Sequence, residues 1–285
     1  MCGCQYNVLN TTMIDYIPLS RRTEGISVYA LNYTFGLAIG PALTMIVAAK
    51  WSYTPVFVIL LFSAVMSATC IFQIRFKKTE FAEESIPQQD GKQSFLGVFE
   101  KTALPMAFMI LPLSLCYAGA QTFIETYTKG LDIAWTAQGF FIGYSLLIVL
   151  TRPLAGRLAD QRGENYVMVP VIIVNAVGCA ALGLAGIVPP AAAALVIASA
   201  LLMAVGFGSV LPLGHAVAIK YGQPHQFARI TSTYWVFSDC AMGFGGFLLG
   251  HIASGIGFSN LFFVEVAFSF VGLIIYWRLH GRRQR

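Results

Sequence analysis

The chain has 285 residues, of which 57% are hydrophobic and only 11% charged, with a formal net charge of +5 and a mean hydropathy of +0.70. A soluble domain carries about 25% charged residues, so these few charges cannot cover a soluble body of this size. A cytosolic enzyme, a secreted disulfide scaffold and a disordered chain are excluded, which leaves a polytopic all-α membrane protein. The apolar runs are continuous rather than alternating, which argues against a β-barrel.

A helix that crosses a hydrocarbon core about 30 Å thick needs roughly 20 apolar residues. The chain opens on a weaker stretch, Met1 to Ile17, which carries Gln5, Asn7, Asn10, Thr11, Thr12 and Asp15. It lacks a basic start and a long apolar run, so it is no signal peptide. It reads as the remaining part of a helix. Eight apolar runs follow, near 25–49, 54–76, 103–127, 135–156, 166–188, 191–219, 230–254 and 258–279. The longest polar stretch, from Arg75 to about Thr102, holds KKTEFAEES and PQQDGKQ and reads as a linker. The expected plan is an incomplete transmembrane bundle at 1–76, a cytoplasmic linker at 77–102 and a six-helix bundle at 103–285.

The basic residues sit in short clusters between apolar runs, a pattern of membrane topology rather than nucleic-acid binding. If the segments alternate, one side receives 16 Lys and Arg and the other only Lys50 and Lys129. The rich side is expected in the cytoplasm, with the C-terminus there and the N-terminus outside. The six cysteines and four histidines are scattered, so the cysteines read as small apolar residues and neither a metal centre nor a cofactor is expected. There is no Walker loop, no HExxH, no Ser–His pair at useful spacing and no pair of acids on one helix face, so neither ATP use nor an enzyme is expected.

The most specific stretch is RPLAGRLADQRGEN, Arg152 to Asn165. It lies between two apolar spans and reads as a tight cytoplasmic connection. A glycine, three residues, an aspartate, then basic residues and a glycine stand here as Gly156, Asp160, Arg162 and Gly163, with Arg152 and Arg157 alongside. In this loop the chain resembles the major facilitator superfamily. That resemblance implies a cytoplasmic gate between helices eight and nine. It makes Asp160 the latch and Arg152, Arg157 and Arg162 its basic setting. A carboxylate at a helix N-terminus is favourable by about 0.3–1 kcal/mol, weak enough to break in each cycle. Read without the family, the same residues are a positive-inside loop with one solvated aspartate.

A second match is Ile17 to Leu43, similar to the family's fourth-to-fifth connection and fifth helix. GLAIGPALT resembles its antiporter motif through Gly36, Gly40 and Pro41, with Thr44 where the last glycine would stand. Gly36 and Gly40 are one turn apart and allow close helix approach, and Pro41 permits a kink. A generic small-residue packing face is the other reading. A loose internal repeat relates Pro18–Arg22 and its following span to Pro224–Arg229 and its own, at an offset of about 200 residues, as in transporters with parallel repeats.

Three acids stand inside spans. Asp239 lies mid-span in YWVFSDCAMGFGG, and Glu125 near the outer end of its span. Both are candidates for proton coupling, against a structural aspartate and a headgroup-facing glutamate. Glu265 lies about two turns into the last span. The family's twelfth helix is peripheral, so a packing role is expected there. Asn32, Tyr33, Tyr117 and Gln121 are candidates for lining a cavity, by the helices on which the resemblance places them, or for helix-packing hydrogen bonds.

Set against the family's twelve helices, the chain aligns from the end of helix four onward. The expected function is secondary transport in the cell membrane, the inner one in a bacterium. It would be proton-coupled antiport that exports a small organic molecule by alternating access. The alternative is a truncated, inactive or assembly-type membrane protein derived from such a transporter.

Overall fold

A computed structural model describes residues 54–73, 99–223 and 226–281, and Gly25, Gly36 and Val47 as single positions. Among the described residues, seven α-helices follow in order: α1 (Thr54–Gln73), α2 (Leu104–Gly130), α3 (Trp135–Arg162), α4 (Glu164–Ala185), α5 (Ala192–Lys220), α6 (Phe227–Ile256) and α7 (Phe258–Leu279). A 3-10 turn, Pro189–Ala191, precedes α5. Helices α2 to α7 are each long and apolar enough to cross a membrane. Helices satisfy their own backbone, which is why a chain this apolar takes this form. Pro112, Pro153, Pro170 and Pro212 lie inside α2, α3, α4 and α5, a substitution that bundled membrane helices tolerate.

The six spans form one bundle. Its extensive contacts run α6 to α2, α2 to α7, α7 to α4, α4 to α5 and α5 to α3, and α2 meets α5 across the middle. Helices α2, α4 and α5 are the most enclosed, and the main apolar core joins them to the rest. Close approach depends on missing side chains. A Cβ on Gly206 of α5 would sit 2.7 Å from the Asn175 backbone of α4, so α4 and α5 pack nearly backbone to backbone. The outward faces remain apolar. Leu146, Leu150 and Leu154 repeat at one-turn intervals along α3, and Phe244 and Phe247 project from α6, all largely exposed. Such a face needs lipid or another apolar surface over it.

Two connections consist of a single residue. Gly163 joins α3 to α4 at φ 91° and ψ 156°, and Gly257 joins α6 to α7 at φ 82° and ψ 161°. That conformation belongs almost to glycine alone. Each glycine also donates its N–H back to the helix it ends, Gly163 to Ala159 at 3.0 Å and Gly257 to Ala253 at 2.8 Å. Charges at the helix ends follow the helix dipoles. Glu164 stands in the first turn of α4, and Lys129, Arg162, Lys220 and Arg278 stand in last turns.

Candidate functional site

The motif read as a connection is mostly helix. Helix α3 continues through Arg162 and only Gly163 turns the chain. The reason is local: Arg, Leu, Ala and Gln are good helix formers, and a span may extend beyond the apolar core once its side chains reach headgroup water. Gly163 is the first residue that the helix cannot keep, because the chain must reverse there at a positive φ.

This extension sets the motif residues at two depths. Arg157, Asp160, Arg162 and Gly163 are exposed at one end of the bundle. Arg162 donates from Nη1 to the Tyr166 hydroxyl at 2.8 Å, with its guanidinium 5.1 Å from that ring's centroid. Asp160 lies near enough to the end of α5 to act electrostatically on Lys220. Gly156 is buried one turn before Asp160. Arg152 lies a further turn inside and is only 2% exposed. Its Nε donates to the Gly208 carbonyl of α5 at 3.0 Å. Arg152 thus ties α3 to α5.

Beside the Gly163 turn lies a polar cluster that the linear sequence does not reveal. Glu164 is buried, and Lys220 Nζ donates to its Oε1 at 2.7 Å. His280 Nε2 meets its Oε2 at 2.9 Å. Asn165 extends the cluster: its Nδ2 donates to the Gly281 carbonyl at 3.1 Å, and the Tyr276 hydroxyl donates to its Oδ1 at 2.6 Å. The start of α4 is thereby bound to the ends of α5 and α7. Nearby, Arg229 Nη1 approaches Glu100 Oε2 at 3.7 Å, and the Glu100 N–H donates to Thr233 Oγ1 at 3.0 Å. These contacts place Lys220 and Arg229, two of the basic residues that the charge count put on one side, at one end of the bundle. A cavity of about 450 Å³ opens there, lined by Lys101, Thr102, Pro105, Tyr221 and His280 among others.

The remaining candidates are dispersed. Asp239 is exposed on the surface of α6, beside Ser238, whose hydroxyl is buried 3.0 Å from that of Ser114. Glu125 is exposed and accepts from Lys129 Nζ, one turn on, at 2.7 Å. Tyr117 is buried, its ring stacked on Tyr144 at 5.2 Å and on Phe207 at 4.8 Å. Gln121, one turn on, is partly exposed. Gly36 is exposed, and among the described residues nothing lies where its Cβ would stand. Asn32, Tyr33, Gly40 and Pro41 lie outside the described residues, as does most of 77–102. Among the described residues no cluster of His, Cys, Asp and Glu could hold a metal ion.

This bundle is similar in sequence to known proteins along almost its whole length. The chain is 24% identical over 254 residues to the uncharacterized MFS-type transporter YhjO of Bacillus subtilis, covering 86% of this chain and 59% of that protein. It thus spans under two thirds of that relative's length. The family profile described as Major Facilitator Superfamily matches residues 1–194 and 131–285. With six apolar spans and a profile that covers the sequence from end to end, this multi-pass membrane chain belongs to the Major Facilitator Superfamily.

Proposed function

We propose that the chain works in secondary active transport, as a proton-coupled exporter of small amphipathic organic molecules that uses alternating access. The observation that carries this reading is the charged end of the bundle. A glycine turn carries Asp160 within electrostatic reach of Lys220, next to an interhelical cluster of Glu164, Lys220 and His280. Such contacts hold helix ends together with modest energy, which suits a gate that must open in each cycle.

In this reading Asp160 is the latch and Arg152, Arg157 and Arg162 are its basic setting. Arg152 keeps α3 seated on α5. Asp239 and Glu125 carry protons, and Tyr117 and Gln121, with Asn32 and Tyr33, face the substrate path. Gly36, Gly40 and Pro41 supply the antiporter bend. The protein sits in the cell membrane with its C-terminus in the cytoplasm, because the basic residues gather at that end. The driving force is the proton gradient, with no use of ATP and no nucleic-acid partner.

The test uses everted membrane vesicles that hold the full chain and an acid interior, reported by acridine orange. Adding ethidium, a cationic amphipathic dye, should release the quenched fluorescence as protons leave in exchange. Asp239→Asn should suppress that release. Equal traces from vesicles with and without the chain would remove the transport reading and favour an inactive or assembly-type membrane protein.

A further inference from the structure

Helix α7 carries an acid that the transport reading does not use. Glu265 is fully buried in the bundle, and among the described residues neither of its carboxyl oxygens has a hydrogen-bond partner. A peripheral helix predicts a packing residue at this position; its burial and its orphaned oxygens call for another account. The carboxyl lies directly against α2 at Gly119. A Cβ on Gly119 would collide with Glu265 Oε1, and it would stand 3.1 Å from Leu249 Cδ1 of α6. Position 119 thus has no side chain where the acid needs room.

The groups around Glu265 satisfy its backbone and leave its side chain alone. The Cys116 thiol of α2 donates to the Glu265 carbonyl at 3.1 Å, and the Ser269 hydroxyl donates to the same carbonyl at 3.2 Å. Asn175 of α4 donates from Nδ2 to Ser269 Oγ at 3.0 Å, while its own Oδ1 is buried without a donor. Cys179 of α4 lies within hydrogen-bonding reach of Cys116. The titratable groups that face Glu265 are therefore Cys116 from α2 and Cys179 from α4, and α6 contributes Leu249. Among the described residues no Lys, Arg or His offsets a charge at this carboxyl.

Among the described residues, nothing donates to these three enclosed acceptor oxygens. An ionised carboxylate has nothing here to compensate its lost hydration, and an acid inside a membrane bundle is kept for a reason. The group that fits is the smallest cation. We propose that Glu265 is a proton-binding site, occupied while α7 is seated on Gly119 of α2 and emptied when the two helices part. Proton release at Glu265 is then tied to movement of α7 against α2, separately from the proton roles assigned above to Asp239 and Glu125.

The test is infrared spectroscopy of the full chain in phosphatidylcholine nanodiscs at neutral pH. The expected signal is a carboxylic-acid C=O band that shifts when glutamate carries carbon-13, shifts again in deuterium oxide, and is lost in Glu265→Gln. The isotope shifts are read on the wild-type chain, so a poorly folding variant leaves the test intact. A second readout is thermal melting. The neutral acid stabilises the packed bundle at low pH, and that contribution is lost as pH rises. Wild-type melting should therefore fall more steeply toward alkaline pH than Glu265→Gln, with both thiols present in each. Absence of a glutamate-derived acid band at neutral pH overturns the proposal, as does its disappearance on adding sodium chloride, which would assign the oxygens to a metal cation. The band and the dye assay are independent: a chain that moves no dye but shows the band keeps this inference and loses the transport reading.

Discussion

The two single-glycine turns share a backbone and differ in almost everything around it. Gly163 and Gly257 adopt nearly the same φ and ψ, and each caps the preceding helix through its own N–H. At the Gly163 end the flanking side chains reach across helices with charge: Glu164 to Lys220 and His280, and Asp160 toward Lys220. Around the Gly257 turn itself the hydrogen bonds join neutral groups. Ser254 donates to the His251 carbonyl at 2.7 Å and Asn260 to the Ile256 carbonyl at 2.7 Å. Beside this turn, Tyr127 donates to the Leu182 carbonyl at 2.7 Å and lies 3.4 Å from Ser259 Oγ. The glycine alone therefore marks only where helices reverse. What distinguishes the first turn is the set of charges that the reversal presents to α5 and α7.

The largest effect should come from the buried ion cluster. Glu164→Ala removes the acceptor shared by the Lys220 ammonium and the mostly buried His280 ring. It should lower stability by about 2–3 kcal/mol, less than a fully buried pair because Lys220 is 58% exposed. Thermal melting in nanodiscs measures it, and a change as small as that of an exposed pair would erase the contrast between the two ends. Next come the glycines. Gly163→Ala and Gly257→Ala should each cost about 1–3 kcal/mol, since both force a side chain into the same unfavourable backbone region. Equal losses would show that the turns are alike as backbone. A silent Gly257→Ala would break the comparison at its base.

Salt sharpens it further. High ionic strength should narrow the stability gap between wild type and Glu164→Ala, because Lys220 reaches solvent, and should leave the cost of Gly257→Ala unchanged. The smallest effect is expected at Glu125. Its partner Lys129 is one turn away on the same helix, and both side chains are more than half exposed. Glu125→Gln should shift melting by about 0.5 kcal/mol or less. A larger loss would give that end an electrostatic weight that its geometry does not support.

Much of the fold was legible in the sequence, because helices in lipid announce themselves by length and apolarity. The last apolar run, 258–279, coincides with α7, and the run at 103–127 differs from α2 by a few residues. The largest boundary difference is at α3, where Arg157, Asp160 and Arg162 resemble a loop in composition yet continue the helix. The Gly163 motif could be read because its residues are adjacent in the chain. The Glu164 cluster could not, since Lys220 and His280 stand 56 and 116 residues away. Gly257 has no charged neighbours to draw attention to it. Glu265 gave a visible signal, an acid in an apolar run, but its buried place against Gly119 depends on helices far apart in the chain.

The central claim is that the Gly163 end is a charged gate whose carboxylate governs transport. Ethidium accumulation in energised cells tests it most directly, comparing wild type, Asp160→Ala and an empty vector, with membrane insertion checked for each chain. The account predicts low accumulation with wild type, reversed by a protonophore. With Asp160→Ala, the export rate should fall roughly tenfold, the size of one coupling of about 1.4 kcal/mol. Accumulation in Asp160→Ala cells as low as in wild-type cells would contradict the gate, and the Gly163 turn would then differ from Gly257 in charge alone.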